Sequence, residues 1–126
     1  MLRIMGIQRD CIANQEFVLI QNHSSLKIAL RGHCIVSQGA MDSGMFASGG
    51  HLFADDVTIP PGMYVVLRTG VGEPRWSKAR DGAMIYQTYM QRAEGVWEYA
   101  RGTLYILAPQ HTYTERNLSS PSLGNS

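Results

Sequence analysis

From Met63 to Thr69 the chain alternates: Met63, Val65 and Leu67 fall on one face of an extended strand, while Tyr64, Val66 and Arg68 fall on the other. Arg68 marks the second face as the wetter one. Short apolar runs rich in Val, Ile, Tyr and Thr recur between clusters of Gly, Pro, Asn, Asp and Ser, the pattern of many short strands. They predict strands within residues 2–8, 16–22, 26–31, 33–37, 52–59, 63–69, 83–89, 103–108 and 112–116. Leu104 and Ile106 point inward, with Tyr105 partly exposed. The unbroken run from Phe17 through Ile20 suggests a central strand covered on both faces. The expected core comprises Phe17, Leu19, Leu30, Met63, Val65, Leu67, Trp97, Leu104 and Ile106. Two layers of mostly antiparallel sheet bury such a set.

Breakers divide these runs. Pro60 and Pro61 fix φ, Gly62 supplies a permissive dihedral, and a β-branched run leaves in the opposite direction, which predicts a hairpin-like corner. Tyr86, Met90 and Ala93 are also spaced as on one helical face, so residues 83–93 allow a short helix. Four glycines among small residues predict a mobile loop over 39–50. The Ser, Pro, Gly and Asn of residues 118–126 predict a disordered tail after a single domain of residues 1–117.

Composition narrows the partners. The chain has 126 residues, 44% of them hydrophobic, enough for one core, and its net charge of +1 gives no global field for nucleic acid or an anionic membrane. No apolar run approaches the roughly 20 residues that span a bilayer. Charges interrupt the first ten residues early, unlike a secretory leader, so the chain as written reads as cytoplasmic, or nuclear in a eukaryote. Two cysteines, Cys11 and Cys34, allow at most one disulfide and read more simply as buried free thiols.

Candidate chemistry is sparse. His33 and Cys34 are adjacent, and neighbours on a strand point to opposite faces, so they cannot form a nucleophile and its base. His51, Asp55 and Asp56 offer metal-ligand atoms with no second cluster to complete a shell. Gly70-Val71-Gly72 lacks both the third glycine and the lysine of a phosphate loop. No catalytic residue, metal or cofactor is expected. The one local charge feature is Arg68, Arg75, Lys78 and Arg80, interleaved with Trp76; such a set can grip an acidic peptide or track phosphates while stacking a base.

Four motifs in order carry a resemblance. Asn14-Gln-Glu-Phe-Val-Leu-Ile-Gln-Asn22 resembles the Asn-x-Glu-Tyr-Val-x-Ile-x-Asn strand that opens lamin tail domains. Ile28-Ala-Leu-Arg-Gly-His-Cys-Ile35 is similar to that family's Val-x-Leu-x-Gly-Trp-x-Leu, with His33 in place of tryptophan. Residues 57–72 resemble its Leu-x-Pro-Gly strand pair ending in Thr-Gly. Tyr89, Arg92, Val96 and Trp97 keep the spacing of Tyr-x-x-Arg-x-x-x-Val-Trp, and residues 102–107 resemble the strand that follows, with Thr103 for its usual aspartate and Glu98-Tyr99 for its Asn-Asn pair. The resemblance implies an immunoglobulin-like β-sandwich of seven to nine short strands acting as a non-catalytic structural or interaction module. Its partner would be a protein, bound at a sheet edge or at the basic Trp76 loop. Two other readings are a nucleic-acid-binding accessory domain, since some lamin tail domains contact DNA, and a sugar-binding or cell-surface module using Trp76, Tyr64 or Tyr105 as stacking platforms.

Overall fold

The computed structural model describes residues 1–100 and 102–110; the strand expected at 112–116 and the tail expected at 118–126 lie outside the described residues. Strands β1 (Leu2–Gln8) and β2 (Phe17–Asn22) flank a 3-10 turn (Ala13–Gln15), and the short β3 (Ile28–Ala29) precedes β4 (Cys34–Ser37). Two short helices follow, α1 (Gln38–Ser43) and α2 (Phe46–Gly49). The remaining strands are β5 (Gly50–Leu52), β6 (Thr58–Ile59), β7 (Tyr64–Arg68), β8 (Arg75–Lys78), β9 (Met84–Tyr89) and β10 (Leu104–Leu107). The fold is all-β in character, built from open sheets.

A five-stranded sheet runs β1-β2-β7-β9-β8, a three-stranded sheet β10-β4-β5, and β3 pairs with β6. Every pairing is antiparallel except β7 with β9. Buried side chains from all three sheets, among them Ile20, Leu67, Ile35, Leu104 and Ile59, join Leu30 just after β3 in one hydrophobic cluster around Trp97, which is fully buried. Leu30, Val65, Leu67 and Leu104 are buried as expected, and Met63 and Ile106 pack half-buried against the cluster.

Several expectations change. Phe17 and Leu19 are not core residues: β2 alternates, with Val18 and Ile20 at 0% exposure and Phe17 and Leu19 half-buried on the opposite face. A four-residue apolar run therefore belongs to a strand covered on one face only, its outward pair shielded by neighbours on β7. The Pro60-Pro61-Gly62 corner is not a hairpin, because β6 and β7 belong to different sheets. It is a crossing from one sheet to another, with Gly62 at φ 78° and Asn22 of β2 accepting its N–H. Most of residues 39–50 form the helices α1 and α2 rather than a loop, and Gly50 opens β5. Ser37 caps α1 by accepting the N–H of Ala40 at 3.0 Å, and Gly44 ends it in the left-handed region at φ 77°. The helical alternative over 83–93 gives way to strand β9, which Gln91 terminates at φ 60°.

Candidate functional site

The basic loop foreseen around Trp76 is in fact a strand. Arg75, Trp76, Ser77 and Lys78 form β8, the free edge of the five-stranded sheet, and Arg80 sits exposed in the turn to β9. The sequence carried a signal for this pairing in Asp81-Gly82, a hairpin dipeptide. Asp81 Oδ1 accepts the N–H of Ala83 at 3.0 Å, and Gly82 adopts φ 90°. The strand itself has no alternation, because an edge strand can be polar on both faces.

The pleat divides the cations. Arg75 and Ser77 lie on the same face as Gln87 and Ile85, whereas Trp76 and Lys78 lie on the core-side face with Tyr86 and Met84. Arg68 joins the first group: its Nε donates to Gln87 Oε1 at 3.1 Å, its guanidinium lies 5.7 Å from the Phe17 ring, and Gln87 donates onward to Ser77. Trp76 packs edge-on against Tyr86 with ring centroids 5.3 Å apart and stays 37% exposed. It seals the flank of the core as much as it faces solvent.

The hydrogen-bond phase shows which backbone groups β8 leaves open. Ala79 donates to Ala83 O at 2.8 Å, and pairs two apart continue that phase, so Ser77 and Arg75 bond inward to β9. Trp76 and Lys78 then turn their N–H and C=O toward the open side. Pro74 precedes the strand without a donor.

Elsewhere two carboxylates gather polar partners. Glu16, fully buried, accepts from Thr69 Oγ1 (2.7 Å) and from the N–H groups of Val96 (2.7 Å), Trp97 (3.0 Å), Glu98 (2.8 Å) and Asp10 (3.2 Å). Burial alone would raise its pKa, but the Thr69 hydroxyl and the backbone donors outweigh it and hold the group below the ordinary 4.5. Arg9 grips the same turn by its carbonyls, donating to those of Trp97, Ala100 and Gly102. Asp55, half-buried, accepts through Oδ2 from Tyr86 OH (2.9 Å) and Thr88 Oγ1 (2.7 Å). Burial, then the Asp55 hydrogen bond and charge, push the Tyr86 phenol up to about 12.

His33 and Cys34 line different cavities, so they stay apart. Burial lowers the His33 pKa, while the Leu30 carbonyl 3.2 Å from Nδ1 opposes it. Burial pushes the Cys34 thiol up, which keeps it protonated rather than nucleophilic. Cys11 is exposed and Cys34 only half-buried, so neither is the buried thiol expected, and both are free. His51 stacks edge-on against Phe53 at 4.9 Å; burial holds its pKa low against the pull of Asp55. Among the described residues no group of three His, Cys, Asp or Glu gathers to hold a metal ion, so His51, Asp55 and Asp56 form no such cluster. Among the described residues no helix is long and apolar enough to cross a membrane.

Compared with protein-family models, with curated proteins and with solved structures, the chain matches none.

Proposed function

We propose that this chain is a non-catalytic interaction module with an immunoglobulin-like sandwich of the lamin tail type, and that it binds an acidic extended segment of a protein partner along β8. The observation that carries this reading is the coincidence of two surfaces expected to be separate: the basic Trp76 segment is itself the open sheet edge. An added strand pairs with the outward N–H and C=O groups of Trp76 and Lys78, and neighbouring carboxylates on its two faces meet Arg75 on one side and Lys78 on the other. The lamin tail assignment rests on the four ordered motifs, and the Glu16 clamp supports it by tying the first of them to the Val96-Trp97 motif.

The test uses a fluorescein-labelled peptide of repeated Glu-Glu-Thr-Thr, which carries carboxylates on both faces of an extended strand, with the Lys-for-Glu peptide as its control. Saturable binding of the acidic peptide alone is expected, weakened at least tenfold by Lys78→Pro, which removes one outward donor, and by Arg75→Glu. Ser77→Pro breaks the inward ladder instead and lowers the melting temperature. Equal binding of both peptides, or none, refutes the reading.

One observation favours a second reading, single-stranded nucleic acid. The outer face of the five-stranded sheet carries Arg3, Arg68 and Arg75 with Phe17, Tyr64 and Tyr89, and its strands place no carboxylate there. A fluorescent oligothymidylate that binds with a steep salt dependence, lost in Phe17→Ala, supports it. No binding at low salt removes it.

A further inference from the structure

The face of the three-stranded sheet turned away from the core is apolar and open. Paired residues of antiparallel strands share a face, so Leu107, Cys34 and Leu52 form one row across it, and Tyr105, Val36 and Gly50 the next. Val36 is buried, yet Leu52 is 65% exposed and Phe46 of α2 55%. Scattered exposed leucines are normal, whereas several large apolar side chains around one groove mark a binding surface. With α2 and Arg92, this face encloses a groove of about 520 Å³, lined by Cys34, Val36, Phe46, Ala47, Leu52 and Arg92 among others.

Two features narrow the occupant. Arg92 is the cation of the lining, and among the described residues no carboxylate lines the groove. Its side chain is exposed and donates through Nη2 to Ala47 O at 3.1 Å, leaving the rest of its fork for an anion. The second feature is the backbone beside it. Phe53 donates to His33 O at 2.9 Å, and that phase makes Ile35 and His51 the hydrogen-bonded pair. Leu52 therefore turns its N–H and C=O away from β4, toward the open edge of the sheet.

We propose that this groove takes the C-terminal end of an extended peptide, whose backbone pairs with Leu52, whose last apolar side chain packs against Cys34, Val36 and Phe46, and whose α-carboxylate meets Arg92. An aliphatic acid without peptide bonds fits the apolar wall and Arg92 but leaves the Leu52 backbone unanswered, which is why the peptide is the occupant. The surface involves none of the β8 residues, so it stands independently of the reading above.

Synthetic decapeptides with four randomised C-terminal positions, prepared as free acids and as amides, are passed over the immobilised chain, and the retained members are read by mass spectrometry. Free acids ending in an apolar residue are expected to be retained at least tenfold over the amides. Arg92→Gln is expected to abolish that preference, and Leu52→Pro to lower retention of acids and amides alike. Arg92 is exposed, so Arg92→Gln is expected to melt like the parent and carries the decision if Leu52→Pro melts lower. Arg75→Glu, which weakens the β8 interaction, is expected to leave retention unchanged. Equal retention of acids and amides, no retention, or a preference that survives Arg92→Gln overturns the proposal. Dodecanoate saturating the groove at a lower concentration than any retained peptide also overturns it, in favour of a small aliphatic acid.

Discussion

Glu16 and Asp55 are both carboxylates drawn into the protein, and they differ in how completely they are used. Glu16 is sealed, with both oxygens occupied by five donors from three separate places in the chain. Asp55 spends one oxygen on two hydroxyls of β9 and remains half-buried. A saturated carboxylate has no lone pair left for a ligand, so its work is architectural. Its donors lie up to 82 residues away in sequence, and it fixes the Trp97 turn against the 3-10 turn that precedes β2. Asp55 orders Tyr86 and Thr88 on the core-side face of β9 while keeping contact with water, and its field reaches His51 beside the β4–β5 groove.

Breaking the sealed site should cost most. Glu16→Ala leaves the N–H groups of Val96, Trp97, Glu98 and Asp10 and the Thr69 hydroxyl without their acceptor, and a loss of about 3 to 5 kcal/mol is expected from urea unfolding. Trp97→Ala empties the centre of the core and should cost a similar amount, about 3 to 5 kcal/mol. The two residues share one turn, so the double variant should fall short of the sum by about 0.5 to 3 kcal/mol. Strict additivity would mean that the Glu16 clamp does not position Trp97. An unchanged melting temperature in Trp97→Ala would remove that residue from the core.

A pH series separates the sealed carboxylate from the histidines. The folded pKa values of His33 and His51 lie below the ordinary 6.5, so the unfolded chain takes up protons first as pH falls through 6.5, and stability declines from there toward the folded values. The folded pKa of Glu16 lies below 4.5, so its contribution is complete above 4.5 and is lost as pH falls from there through the folded pKa. Melting temperatures should therefore fall in two stages, and Glu16→Gln should flatten only the lower one. A single step near 4.5 would show that the histidines are not held neutral.

The layout of strands was legible because burial on one face writes period-2 alternation, as in residues 63–69, and because Trp97 is the sort of side chain only a core accommodates. Two things were not. The outward side chains of β2, Phe17 and Leu19, are as apolar as its inward ones, so composition could not tell a covered face from an open one. The polar edge strand β8 and the Ser37-capped helix α1 lack an apolar pattern, and their signals sit in single residues: Asp81-Gly82 for the hairpin, Ser37 and Gly44 for the two helix ends. Glu16 stood inside a motif that could be read, but its role depends on N–H groups 80 to 82 residues onward, a closure that no local pattern encodes. The open groove is assembled from β4, α2, β5 and Arg92, and only the fold brings them together.

The smallest effect belongs to Asp55. Asp55→Asn keeps an oxygen for Tyr86 and Thr88 and gives up only the charge on a half-buried group, so a loss of about 1 kcal/mol is expected, well under that of Glu16→Ala. Its clearer consequence is alkaline. The Tyr86 phenol titrates near pH 12 in the folded chain against an ordinary 10, so above pH 10 the unfolded chain loses that proton first and stability falls as pH rises. With asparagine at position 55 the phenol loses a charged acceptor, though burial still holds it up, so its pKa should drop part of the way toward 10 and the alkaline loss should become shallower. Absorbance at the phenolate band, followed in the parent and in Asp55→Asn with Tyr86→Phe as the blank, measures that shift. An identical phenolate curve in parent and variant would mean that burial alone sets the Tyr86 pKa. Asp55 would then be a surface carboxylate lying near two hydroxyls, and the contrast with Glu16 would be one of position, not of use.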